Sequence, residues 1–167
     1  MMTAVRIRHE AVYAADPDTV YAMLVDPAYR VRVCEAMGVL SQEVSVEPAG
    51  EGHLVRIDQE QPTAGVPSFA RKFAGETTRA VQVETWQAAS PRRAALTIET
   101  PGKPTRTEGS LTLGPHADGA VVTLEADLTV TVPLIGGRLE KLMADLFRAG
   151  RETEHAVGVA WLEGDRG

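Results

Sequence analysis

The stretch LIGGRLEKLMADLFRAGRETEHAVGVAWL, residues 134–162, decides how this chain is read. On a 3.6-residue period, Ile135, Leu139, Leu142, Met143, Leu146, Ala149, Gly150, Thr153, Val157, Ala160 and Trp161 gather on one face of a helix. Glu140, Lys141, Arg148, Arg151, Glu152 and His155 take the other face. A helix of roughly 40 Å buries such a stripe only against something extensive. The stripe is also uneven: it is bulky at Ile135, Leu139, Leu142 and Leu146, then thins to Ala149, Gly150, Thr153 and Ala156. Glycine inside a helix costs about 1 kcal/mol relative to alanine. Gly150 therefore signals either close backbone approach or room for a guest, while the opposing reading is that strand side chains fill the space.

Upstream of this helix the pattern is almost wholly that of strands. Val5, Ile7, His9 and Ala11 alternate with Arg6, Arg8 and Glu10, the period of a half-buried strand. Asp16-Pro17-Asp18 and Asp26-Pro27 each place a capping carboxylate before a proline, opening two short helices, the second running to about Met37 and stopping at Gly38. Strands follow at Val39–Glu47, His53–Gln61, Phe69–Phe73, Thr77–Ala88, Ala94–Thr100, Thr105–Leu113 and Ala120–Val132, with Gln61–Ser68 as a loop and Gly75 or Gly109 as sites for a bulge. Short turns between successive strands imply an antiparallel meander. The expected fold class is α+β, a curved antiparallel sheet wrapped around the long carboxy-terminal helix, in one domain spanning 1–167.

Composition narrows the function. The net charge of −6 and the lack of clustered cations argue against a nucleic-acid partner, which needs a basic surface. Cys34 is the single cysteine, so no internal disulfide forms, and no Cys/His spacing makes a metal site. No dinucleotide fingerprint or phosphate loop is present, and no cofactor is expected. Without a signal sequence or a membrane span, the expected location is the cytoplasm.

Three segments carry a resemblance to a known family: Arg8-His9-Glu10, Asp16-Pro17-Asp18-Thr19-Val20-Tyr21, and Val132-Pro133-Leu134-Ile135-Gly136-Gly137-Arg138-Leu139-Glu140-Lys141. The element order resembles the helix-grip fold of the START-like superfamily, also called Bet v 1-like or SRPBCC, over nearly the whole chain. More narrowly, these segments resemble DUF2505, an actinobacterial family of uncharacterised proteins. The superfamily includes binders of lipids, sterols and plant hormones, polyketide cyclases and co-chaperone-like proteins. The resemblance thus implies a fold and an internal cavity but names no reaction.

The residues expected to line a ligand cavity are His9, Leu111, Leu124, Leu128, Leu146, Ala149, Gly150, Thr153 and Val157. His9 has inward strand parity, suiting it to donate to a ligand or to act as acid or base; its other reading is a structural histidine bonded to a neighbouring strand. Asp58, Gln59, Thr97, Glu99 and Thr107 are further polar residues within reach of a cavity, and Glu99 with His9 would make an acid/base unit. His53, His116 and His155 read as solvated, Trp86 and Trp161 as core, and Cys34 as a buried thiol. The Gln61–Ser68 loop reads as a lid over the cavity entrance or as an ordinary connection.

Three functions compete on these grounds. The first is a carrier or sensor of a small hydrophobic or amphipathic molecule, lipid- or polyketide-like, with no catalytic residues. The second is a cyclase- or dehydratase-like enzyme using a cavity acid/base. The third is a protein-interaction module with a filled interior, and in each case the chain is expected to be a monomer or homodimer.

Overall fold

The computed structural model describes residues 3–63, 66–132 and 136–167. Along the chain these form β1 (Thr3–Tyr13), α1 (Pro17–Leu24), α2 (Pro27–Ala36), β2 (Ser41–Ala49), β3 (Gly52–Pro62), α3 (Ser68–Ala74), β4 (Thr77–Trp86), β5 (Arg92–Glu99), β6 (Thr105–His116), β7 (Gly119–Val130) and α4 (Gly136–Leu162). Leu134 and Ile135, the expected start of the long helix, lie outside the described residues, as do Ala64 and Gly65 of the expected loop.

All seven strands join one antiparallel sheet in the order β1-β7-β6-β5-β4-β3-β2. The meander supplies β2 to β7, and β1 returns to pair with β7 through Ile7 opposite Ala126 and His9 opposite Leu124. Because side chains alternate faces along a strand, Ile7, Ala11 and Tyr13 bury inward while Arg6, Arg8 and Glu10 stay outside. On β7, Val122, Leu124, Ala126, Leu128 and Val130 do the same. The pairing of β6 with β7 runs unbroken through Gly109 opposite Ala126, so no bulge forms at Gly109.

The two Asp-Pro signals act as the sequence requires. Asp16 accepts the Thr19 amide at 2.7 Å and opens α1, and Asp26 accepts the Ala28 amide at 2.9 Å and opens α2. The long helix α4 lies across the inner sheet face, packed against β1, β7 and α2. This is the helix-grip arrangement.

The segment expected as strand Phe69–Phe73 is instead helix α3, and Gly75, expected as a bulge, ends that helix at φ +71°. A spacing of four places Phe69 and Phe73 on one side in either geometry, so period could not separate them. Ala70 does: it is buried beside both phenylalanines, which a helix permits and strict alternation does not. The strand expected to reach Ala88 ends at Trp86.

The face of α4 is also rotated from the expected stripe. Leu139, Ala144, Glu154, Gly158 and Trp161 are buried, whereas Leu146 is 50% exposed and Ala149 is exposed. Its second half seats tightly on β1: a Cβ on Gly158 would stand 2.7 Å from Tyr13 Cε1.

Candidate functional site

Where α4 turns its thinner side outward, the interior is hollow. A cavity of about 520 Å³ lies between the first half of α4, the end of α2, α3, the end of β3 and the turn before β6. Its walls are mainly apolar, with Leu139, Leu142 and Met143 from α4 facing Ala70 and Phe73 from α3. Met37 and Leu146, 39% and 50% exposed, lie where it meets solvent. Lys103 is the charged side chain among its described lining residues.

A second chamber of about 190 Å³ adjoins it deeper under the sheet. Met37, Gln61, Thr105, Met143, Leu146 and Gly150 border both, so the two are neighbouring parts of one hollow. Gly150 stands at this junction, and a Cβ there would meet only the flexible end of Met37, at 2.9 Å.

The inner chamber's walls are mainly apolar too, but more polar side chains border it than border the larger cavity. It is bordered by Gln59, Gln61 and Gln82 from the sheet, by Thr107, and by Arg30, Arg151 and Glu154. Beneath it, Arg30 on α2 and Glu84 on β4 form an ion pair at 2.7 Å with both side chains 1% exposed. Arg30 Nη1 and Nη2 donate to the two Glu84 oxygens, Nη1 also donates to Glu154 at 3.3 Å, and Nε donates to the Leu24 carbonyl at 2.7 Å. Glu84 accepts in addition from Trp86 Nε1 at 2.9 Å and Gln82 Nε2 at 2.6 Å, and Arg151 approaches Glu154 at 2.5 Å. Burial alone would push the Glu84 carboxyl up, but the Arg30 charge and its hydrogen bonds outweigh that and hold it below the usual carboxylate range. Burial opposes the charge on Arg30 too, and its two carboxylate partners hold it on. An ion cluster so well bonded fixes α2, α4 and β4 to one another rather than adding much net stability.

Of the residues expected at a cavity, Leu146 and Gly150 line both chambers, Ala149 and Thr153 the larger, and Leu128 the smaller. Leu111 and Leu124 are 2% and 0% exposed within the packed core. Neither they, His9 nor Val157 is among the described lining residues. His9 sits inward on β1, its pKa lowered by burial and then by the nearby charges of Arg151 and His155, and its Nδ1 has no hydrogen-bond partner among the described residues. The His9–Glu99 unit does not form, because Glu99 is exposed and ion-paired with Arg106. Gln59 and Thr107 do reach the inner chamber, whereas parity turns Asp58 and Thr97 to the opposite face.

Two histidines expected in solvent are tied down. His155 Nε2 donates to the Val12 carbonyl at 2.8 Å and packs edge-on against Tyr13. His53 shares a 2.7 Å hydrogen bond with the Tyr21 hydroxyl. Cys34 is buried, its thiol pushed up to about 11 by burial, so it is a poor nucleophile. Trp86 and Trp161 are core.

Sequence reasoning missed Arg30, Glu84 and Glu154 as a unit. Glu84 was findable, since it stands with Ala80, Gln82 and Trp86 on the inward parity of β4. A carboxylate at such a place needs a buried cation.

No curated protein matches this chain. Among solved structures, the protein TTHA0849 from Thermus thermophilus superposes with a TM-score of 0.62 at 23% identity, over 93% of this chain and 94% of that one. The Zhui aromatase/cyclase from Streptomyces sp. R1128 gives 0.62 at 13% identity over 98% and 94%, and Ara h 8.0201 gives 0.59 at 12% over 97% and 100%. At these identities the likeness is one of fold, that of Bet v 1-like proteins. Residues 8–162 match the family described as protein of unknown function (DUF2505). This match over most of its length places the chain in the DUF2505 family, and its architecture is the helix-grip fold of Bet v 1-like proteins.

Proposed function

We propose that this protein is a carrier or sensor that holds a small hydrophobic or amphipathic molecule, lipid- or polyketide-like in shape, between α4 and the sheet. The observation that carries the reading is the apolar cavity of about 520 Å³, open to solvent at Met37 and Leu146 and backed by an inner chamber bordered by several polar side chains. Ligand pockets of about 300–1,000 Å³ with apolar walls and a few polar groups are the usual receptacles for such molecules. An interior this hollow also weighs against a module that works only through its outer surface.

The likeness to an aromatase/cyclase keeps an enzymatic reading in view. Such chemistry needs a proton-transferring group facing the guest. Among the described lining residues there is no histidine, and Glu154 is held by Arg30 and Arg151. His9 lies under α4 by Arg151 and His155, apart from both linings. A carrier fits these residues better.

Native mass spectrometry after mild purification tests the reading. The expected result is a non-covalent apolar adduct at one per chain, retained in His9→Ala. A protein that carries no adduct and takes up no added long-chain alcohol would overturn it, and turnover of a defined substrate lost in His9→Ala with binding intact would favour the enzyme.

A further inference from the structure

The charged groups around the inner chamber leave little for a charged guest. Each cation bordering it already has carboxylate partners: Arg30 has Glu84 and Glu154, Arg151 has Glu154, and Arg106 has Glu99 and Glu108. Arg30 has also committed its Nε to the Leu24 carbonyl. A ligand carboxylate or ammonium entering here would lose its hydration without meeting a free counter-ion.

Two neutral side chains are differently placed. Gln59 on β3 and Thr107 on β6 are 8% and 5% exposed, and both face the chamber. Cys34 Sγ donates to Gln59 Oε1 at 3.7 Å, which leaves the two amide hydrogens of Gln59 without a partner among the described residues. The Thr107 hydroxyl has no partner among them either. Neither group is among the fully enclosed polar atoms that lack a partner, so both are open to the chamber, where water or a ligand can satisfy them. Both are neutral and offer N–H or O–H hydrogens, so what suits them is an uncharged oxygen acceptor such as a ketone, ester carbonyl or hydroxyl.

We infer that the inner chamber receives the uncharged, oxygen-bearing end of the guest, hydrogen-bonded by Gln59 and Thr107, while its apolar body fills the larger cavity. The inference rests on the carrier reading above and adds which chemical class that site selects. Gln59 and Thr107 are thus specificity-determining residues: they make the inner chamber prefer neutral oxygenated groups over carboxylates, whereas Lys103 lies on the larger cavity's wall.

The test is displacement of the fluorophore N-phenylnaphthylamine by octane, octanol and octanoate at neutral pH, in wild type, Gln59→Leu and Thr107→Val. Octane reports the apolar cavity alone. The expected result is that octanol displaces more tightly than octanoate. Each variant should weaken octanol roughly 3- to 10-fold, the worth of one neutral hydrogen bond, with octane unchanged or tighter. Thr107→Val keeps the side-chain shape, so the question survives if Gln59→Leu folds poorly. Octanol affinity unchanged in the folded variants, or octanoate binding most tightly, would overturn the inference and leave the carrier reading standing. Failure of all three to compete, with no binding of the fluorophore itself, would overturn both.

Discussion

Gly150 and Gly158 stand on the same helix and are glycine for opposite reasons. At Gly158 the space of a side chain is already taken: Tyr13 Cε1 and its hydroxyl lie 2.7 and 3.1 Å from where a Cβ would be, with Met23 behind at 3.2 Å. At Gly150 the space opens onto the junction of the two chambers, and only the end of Met37 intrudes. The second half of α4 is therefore a packed wall against β1, and the first half is one side of a hollow. One element can anchor the fold and shape a site when its tight and loose stretches are separated along its length.

This contrast can be broken by substitution, and the largest effect belongs to the packed side. Arg30→Met leaves Glu84 and Glu154 buried without their cation, and chemical denaturation should show a loss of about 3–5 kcal/mol. Leu124→Ala empties a fully buried position and should cost about 2–5 kcal/mol by the same measurement. Leu146→Ala removes a similar side chain from the rim of the hollow, where half of it already meets solvent, so its cost should stay below about 1 kcal/mol. Equal losses for the two leucines would erase the distinction between wall and hollow.

The glycines sharpen the same point at smaller energies. Gly158→Ala forces a methyl into the Tyr13 ring, and overpacking of this kind costs about 1–3 kcal/mol, only partly offset by helix propensity. Gly150→Ala should be neutral or stabilising by up to about 1 kcal/mol, because Met37 can swing aside. Thermal melts should fall for Gly158→Ala and hold or rise for Gly150→Ala.

The smallest expected effect is on pH dependence. The folded pKa of His9 lies below its free value of 6.5. Between those two values the unfolded chain binds a proton that the folded chain refuses, so this contribution to stability is fully present above 6.5 and is lost as the pH falls through that window. His9→Leu should flatten the slope of melting temperature against pH there; an unchanged slope would assign the dependence to other groups.

Much of this architecture is written in local pattern. Alternation along β1 and β7 fixes their inward faces, and the Asp-Pro pairs fix both short helices, because those signals act between near neighbours. Two features escaped for physical reasons. Phe69 and Phe73 are spaced to suit helix or strand alike. The face of α4 was misphased because Glu154 counts as polar in any periodicity, whereas its burial depends on Arg30, a partner 124 residues away in sequence. The site shared that fate: Ala149, Gly150 and Thr153 were legible as the thin stretch of a helix after bulky Leu146, but the charged cluster beneath them required three elements to meet.

Gly150→Phe tests the hollow most directly, since the new ring would occupy the junction of the chambers. The measurement is fluorescence titration of N-phenylnaphthylamine into wild type and variant, with thermal melts on both. Saturable binding at one site per wild-type chain, abolished in a variant whose melting temperature is unchanged or higher, is the predicted result. Equal binding by both proteins, or a variant that unfolds because the space was already filled, would contradict it.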